Sequence, residues 1–168
     1  MGVSEHRRNA VHGVKIGIIT MSSTRSLAED ESGHWMAEKA GAEGHRVLAH
    51  RIIPDDAGII AETLQAVIQE FSPHAILMTG GTGAGPKDVT IETVKPLFRK
   101  ELTGFGILFA QLSYAEIGSA AILSRATAGI IQNTAVFCMP GSIKACRLAC
   151  RELIFPDLGH LAKHLQET

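Results

Sequence analysis

The densest concentration of groups able to handle an anion is the run Thr79-Gly80-Gly81-Thr82-Gly83-Ala84-Gly85-Pro86-Lys87-Asp88. Four glycines within six residues allow positive φ and let backbone N–H groups approach a phosphate closely. No Gly-Lys-Ser/Thr follows, so this is not a Walker A loop, and Pro86 breaks the dinucleotide fingerprint. That leaves a tight turn or a phosphate cradle. Met139-Pro140-Gly141-Ser142 is a second candidate of the same kind. A helix beginning there would present free N–H groups to phosphate, or Ser142 would serve only as an N-cap.

Two acids accompany these segments. Asp55 stands in Pro54-Asp55-Asp56-Ala57, and Asp88 closes the glycine run. Either could be a helix cap. Asp56 suffices to cap the helix that follows it, which leaves Asp55 free to point across the sheet's edge. Carboxylates beside a phosphate repel it unless a cation bridges them, and Mg²⁺ takes one or two carboxylates plus phosphate oxygens. His160 and His164 have the spacing of a metal pair but no third ligand, and read as a solvated helix face. Cys146 and Cys150 share that spacing on an apolar face and read as core. Trp35 reads as packing, and Ser22, Ser23 and Thr24 have no partner recognisable for a triad.

Apolar strand-like runs alternating with helical patterns must position these groups. Strands are expected at 14–20, 47–53 and 75–79, with helices between them. The first helix, 34–40, is expected to start from Ser32 as N-cap and to stop at Gly41 and Gly44. The second carries Ile60, Leu64, Val67 and Phe71 on one face and ends at Ser72-Pro73. This alternation implies right-handed crossovers and a mostly parallel sheet in a three-layer α/β fold, with helices on both faces. A short helix near Asp88 or Thr90, a restart at Pro96 and a helix marked by Phe105, Leu108, Phe109 and Leu112 follow. Runs at 127–131 and 134–139 flank Gln132-Asn133 as a hairpin, which supplies one antiparallel strand. A helix with Ile143, Cys146, Cys150 and Leu153 on one face comes next, and Pro156 opens the last helix, to about 166.

With 168 residues, 45% hydrophobic and 20% charged, the chain can bury a core without staples. Residues 1–13 read as an N-terminal arm and 14–168 as a single domain. The net charge of −1 leaves no electrostatic footprint for nucleic acid. No apolar stretch nears the roughly 20 residues that cross a bilayer, and the most tempting, 14–21, contains Lys15. Membrane partners are therefore not expected. The N-terminus lacks the apolar region of a secretory signal. Three cysteines cannot all pair, and they read as reduced thiols in a cytoplasmic protein.

Taken together, Pro54-Asp55, Thr79-Gly80-Gly81-Thr82-Gly83, Asp88-Val89-Thr90, Leu123-Ser124-Arg125-Ala126 and Met139-Pro140-Gly141-Ser142 resemble the MoaB/MogA family of molybdenum cofactor biosynthesis. The family is related to the G domains of plant Cnx proteins and gephyrin. The resemblance runs from about Lys15 to Leu161. Gly104-Phe105-Gly106, Ser113 through Gly118, and Pro140 through Arg147 look like the MoaB branch. It implies molybdopterin adenylyltransferase activity: the terminal phosphate of molybdopterin is joined to AMP from Mg-ATP, with release of pyrophosphate. A non-catalytic pterin-binding or scaffolding oligomer of the same fold is the alternative. By the same resemblance Asp55 and Asp88 are the catalytic and metal-associated acids. Gly80, Gly81, Thr82, Gly83, Pro140, Gly141 and Ser142 lie on the nucleotide side, and Ser113, Ser124 and Arg125 on the pterin side. It further implies a homo-oligomer, with a hexamer favoured and a trimer next.

Overall fold

Side-chain alternation along the central strands divides the core into two layers, and every helix follows from that division. In the computed structural model, which describes Val11 and residues 13–167, β1 (Lys15–Met21) sends Ile16 and Ile18 to one face and Ile19 and Met21 to the other. β3 (Ala75–Thr79) sends Ala75 and Leu77 to the first face and Ile76 and Met78 to the second. β6 (Thr134–Met139) divides in the same way. Strands buried on both faces need helices on both faces. α1 (Glu31–Ala42), α4 (Thr103–Ile117), α5 (Ile143–Leu148) with its π-helical continuation Ala149–Ile154, and α6 (Leu158–Gln166) cover the first. α2 (Ala57–Phe71) covers the second through Ile60, Leu64, Val67 and Ile68, beside α3 (Thr90–Val94).

The six strands lie in the order β2-β1-β3-β6-β5-β4, where β2 is Arg46–Ile53, β4 is Lys100–Glu101 and β5 is Thr127–Ile131. β2, β1, β3 and β6 run parallel, and β5 is antiparallel to both its neighbours, so one reversed strand interrupts a parallel sheet as expected. From β1 the chain passes over one face to β2, then over the other to β3 on the far side of β1. That reversal creates a switch point at the carboxyl ends of β1 and β3, where open α/β sheets bind ligands.

Several sequence expectations are corrected. The N-cap of α1 is Asp30 rather than Ser32, its side chain accepting from Gly33 N–H, and the helix runs through Gly41. Two cap-capable residues lie two positions apart there, and tertiary partners of Asp30 decide between them. The last helix starts at Leu158, two residues after Pro156. α4 and the 3₁₀ helix Gly118–Leu123 together form 21 residues long and apolar enough, by composition, to cross a bilayer, contrary to the sequence reading. Gly118 at φ +62° breaks the pair, and Phe105 and Phe109 of α4 pack into the sheet's core. Of the expected arm, residues 1–10 and 12 lie outside the described residues. Val11 N–H donates to the Gly159 carbonyl at 3.1 Å.

Candidate functional site

The carboxyl ends of the four parallel strands deliver the site. A register shift between Ile16 and Gly17 sets Met21 opposite Ile53, so the residues after β1 and β2 leave the sheet level with each other. Ser23 Oγ, after β1, donates to Asp55 Oδ2 at 3.0 Å. Asp56 caps α2, accepting from Ile59 N–H at 2.9 Å, and Asp55 is left uncommitted to any helix. The division of labour between the two adjacent aspartates is the one expected from their order.

After β3 the chain turns through Gly80 (φ +98°) and Gly81 (φ +63°). A Cβ on Gly81 would stand 2.5 Å from Thr90 Oγ1 and 2.9 Å from Asp55 Oδ1, so only glycine leaves this cradle open. Thr90 holds the turn: its Oγ1 donates to the Gly80 carbonyl at 2.9 Å and its N–H to the Gly81 carbonyl at 3.0 Å. In a trans peptide the C=O and the following N–H point opposite ways. The N–H groups of Gly81 and Thr82 are therefore turned away from Thr90.

Asp88 closes the loop by accepting from Gly85 N–H at 2.9 Å. Its carboxylate also faces Gly83, where a Cβ would meet Oδ2 at 2.7 Å. It does not cap α3, whose N-cap is Val89. Neither acid is thus a helix cap, and both stand against the same glycine loop. Two carboxylates over a glycine cradle fit the needs of Mg²⁺, which completes its shell with phosphate and water oxygens. Among the described residues no group of three or more His, Cys, Asp or Glu could hold a metal on its own.

The 140–142 turn meets the loop from β6. Gly80 N–H donates to the Met139 carbonyl at 3.0 Å, and a Cβ on Gly141 would lie 3.3 Å from Gly80 Cα. Ser142 caps α5 through Ala145 N–H, so the capping reading of its hydroxyl is realised. Arg125 reaches the loop from the far side: Nη1 donates to the Gly83 carbonyl at 3.0 Å and Nη2 pairs with Glu92. That pairing holds the Glu92 carboxyl below its ordinary range. Ser113 is buried within α4 and Ser124 is half-buried after the 3₁₀ helix, and neither is hydrogen-bonded to the loop among the described contacts.

Sequence reasoning missed Ser23, Thr90 and a buried cluster under the first turn of α1. Asp30 there is fully buried. Thr20 Oγ1 donates to its Oδ2 at 2.6 Å, and His50 Nε2 lies 2.8 Å from the same oxygen. Burial pushes the Asp30 carboxyl up, but bonds from His50, Thr20 and Gly33 outweigh it and hold the group below the ordinary carboxylate range. A lowered folded-state value means the charge stabilises the fold above the unfolded value, and that contribution is lost as pH falls through the folded one. Asp30→Asn is therefore expected to melt about 5 °C lower at neutral pH and to lose that deficit at a pH acid enough to protonate the wild-type Asp30 carboxyl. Melts at the two pH values check this, and an equal deficit at both would refute it.

The discounted groups behave as core or surface. Cys138, Cys146 and Cys150 are free and buried, and burial pushes the Cys138 thiol up to about 12. His160 and His164 bond to each other through Nε2 atoms 2.9 Å apart. Trp35 lies under the guanidinium groups of Arg147 and Arg151.

Residues 17–160 match the family model described as a probable molybdopterin binding domain. The chain is 45% identical over 168 residues to molybdenum cofactor biosynthesis protein B of Bacillus subtilis, covering 99% of each chain. It is 40% identical to the molybdopterin adenylyltransferase of Pyrococcus furiosus, covering 99% of this chain and 100% of that one. A crystal structure of a molybdenum cofactor biosynthesis protein B superposes with a TM-score of 0.91 at 42% identity, covering 95% of this chain and 100% of the other.

Proposed function

Because the chain belongs to the molybdopterin-binding domain family of molybdenum cofactor biosynthesis, we propose that it is a molybdopterin adenylyltransferase acting at the crevice above β1 and β3. The observation that supports this most is that two carboxylates, Asp55 and Asp88, both free of capping duty, stand over one glycine loop. In the reaction an oxygen of the pterin's terminal phosphate bonds to the α-phosphorus of ATP. The bond from that phosphorus to the bridging oxygen breaks, and pyrophosphate leaves. A phosphate nucleophile is already ionised near neutral pH, so no general base is needed. The task is to bring two anions together in line and screen their charge.

The chain's own groups divide that task. N–H groups of Gly81, Thr82 and Gly83 hold phosphate oxygens, with the turn Pro140, Gly141 and Ser142 facing them. Asp55 and Asp88 would hold Mg²⁺, which supplies charge neutralisation between substrate oxygens. Ser23 fixes the Asp55 carboxylate. Arg125 serves the loop through the Gly83 carbonyl. Ser113 and Ser124 are the pterin-side candidates. The three unpaired thiols suit the reducing cytoplasm in which we place the reaction.

Incubating the protein with ATP, Mg²⁺ and molybdopterin tests the proposal. Adenylylated pterin and pyrophosphate are expected in equal amounts. Pterin binding without product would favour the scaffolding alternative instead.

The working form is a homo-oligomer, a hexamer before a trimer. α4 and its 3₁₀ continuation expose Ile107 (67%), Tyr114 (65%), Ile122 (86%) and Leu123 (64%). Large apolar side chains exposed along one such element support a subunit contact there. Light scattering after size exclusion is expected to give a multiple of the chain mass at micromolar concentration. A monomer mass would refute the claim, and a trimer only its hexamer part.

A further inference from the structure

The Asp30 cluster and Ser32 lie under the 140–142 turn, and the adenylylation reading gives them no task. Ser32, in the first turn of α1, is buried, and its Oγ donates to the Gly141 carbonyl at 3.0 Å across 109 positions of sequence. We propose that Ser32 is a positioning residue for phosphate binding: by anchoring the Gly141 carbonyl it sets the direction of the Ser142 N–H. The inference rests on the adenylyltransferase reading of the same crevice.

The peptide between Gly141 and Ser142 is a planar unit, so its C=O and N–H leave in opposite directions. Holding the carbonyl toward α1 turns the Ser142 N–H away from α1. Glycine at 141 lets this peptide rotate with little steric penalty, so the local sequence does not choose its orientation. Ser142 cannot choose it either, because its hydroxyl is committed to Ala145 N–H. The choice falls to Ser32. Asp30 makes that anchor firm by tying the first turn of α1 to Thr20 of β1 and His50 of β2. A cavity of about 280 Å³ beside the turn is lined by Arg25, Ser32, Gly141 and Ser142, with Glu29 and Glu31. Glu29 is engaged with Ser26 through the latter's N–H and hydroxyl. Arg25 is the cation among these lining residues, and its charge, after the Ser26 bonds, also helps hold the Glu29 carboxyl low.

The test compares the full-length protein with Ser32→Ala, Ser32→Cys and Ser32→Thr. Removing the hydroxyl is expected to raise the KM for ATP about three- to ten-fold with kcat within about two-fold. Threonine keeps the hydroxyl and is expected to restore KM. Cysteine, a weaker donor, falls between and serves if the alanine variant does not fold. In the substrate-free protein the Ser142 amide resonance is expected to move in Ser32→Ala and to return in Ser32→Thr. An unchanged KM in an active enzyme, or an unmoved Ser142 amide, would overturn the proposal. A wild type that makes no adenylylated pterin would overturn the functional reading instead, and the amide would still judge the hydrogen bond.

Discussion

Replacing Asp88 by asparagine is expected to stop adenylyl transfer and leave the fold standing. Asparagine keeps an oxygen to accept from Gly85 N–H, so the loop's closing bond at 2.9 Å survives. On the adenylyltransferase proposal, what is lost is charge beside the phosphates, and with it a ligand for the bridging cation. A change that removes charge stabilisation at the reacting phosphates costs at least about a hundred-fold in rate. Asp56→Asn is the control. It removes a neighbouring charge of the same kind, but Asp56 caps α2, and asparagine caps equally well. Turnover is expected to be unchanged there. Wild-type turnover in a well-folded Asp88→Asn sample would remove Asp88 from the chemistry.

Gly81→Val is expected to lose binding of both nucleotide and pterin and to lower the melting temperature as well. The residue sits at φ +63°, where a β-branched side chain is strained whatever space surrounds it. No space surrounds it, since the new Cβ would press on Thr90 Oγ1 and Asp55 Oδ1. Thr90 would have to release the loop's carbonyls, and Asp55 would have to turn away from the cradle. Gly41→Ala is the comparison: a Cβ there meets nothing within 4 Å, and the position lies inside α1. Calorimetry is expected to find its affinities intact. Unchanged affinity in Gly81→Val would mean that the loop is only a turn.

What was legible from sequence, and what was not, divides along the range of the interactions. β1, β2 and β3 were legible because their apolar runs are bounded by Pro54, Pro73 and glycines. So was the choice of Asp56 as cap, since a cap is set by its distance from the helix. β4 was missed: two charged residues, Lys100 and Glu101, carry no pattern and exist as a strand only by pairing with Ile130 and Gly129. The left-handed conformations of Ser72 and Gln132 leave no mark either, because neither residue type demands a positive φ. In the site, the glycines and acids are marked by residue type. Ser23, Thr90 and Ser32 are not, because each acts through hydrogen bonds to residues outside its own element, Asp55, the Gly80 and Gly81 carbonyls, and the Gly141 carbonyl. Asp30 displaced Ser32 as the cap for a similar reason: its partners, Thr20 and His50, come from two different strands.

The strand order also has a consequence for how the chain is made. β3 pairs with β1 on one side and with β6 on the other, Ala75 lying against Ala135 and Thr79 against Met139. During synthesis β3 emerges long before β6 exists. Until then its outer edge, Ala-Ile-Leu-Met-Thr, is an apolar template with unmatched backbone groups, open to any other nascent strand. Long-range closure of this kind is slow, and the exposed edge makes the interval hazardous. A chain released between residues 80 and 130 would therefore aggregate rather than wait. The 140–142 turn follows β6 directly, so the crevice acquires its facing wall only in the event that seals that edge.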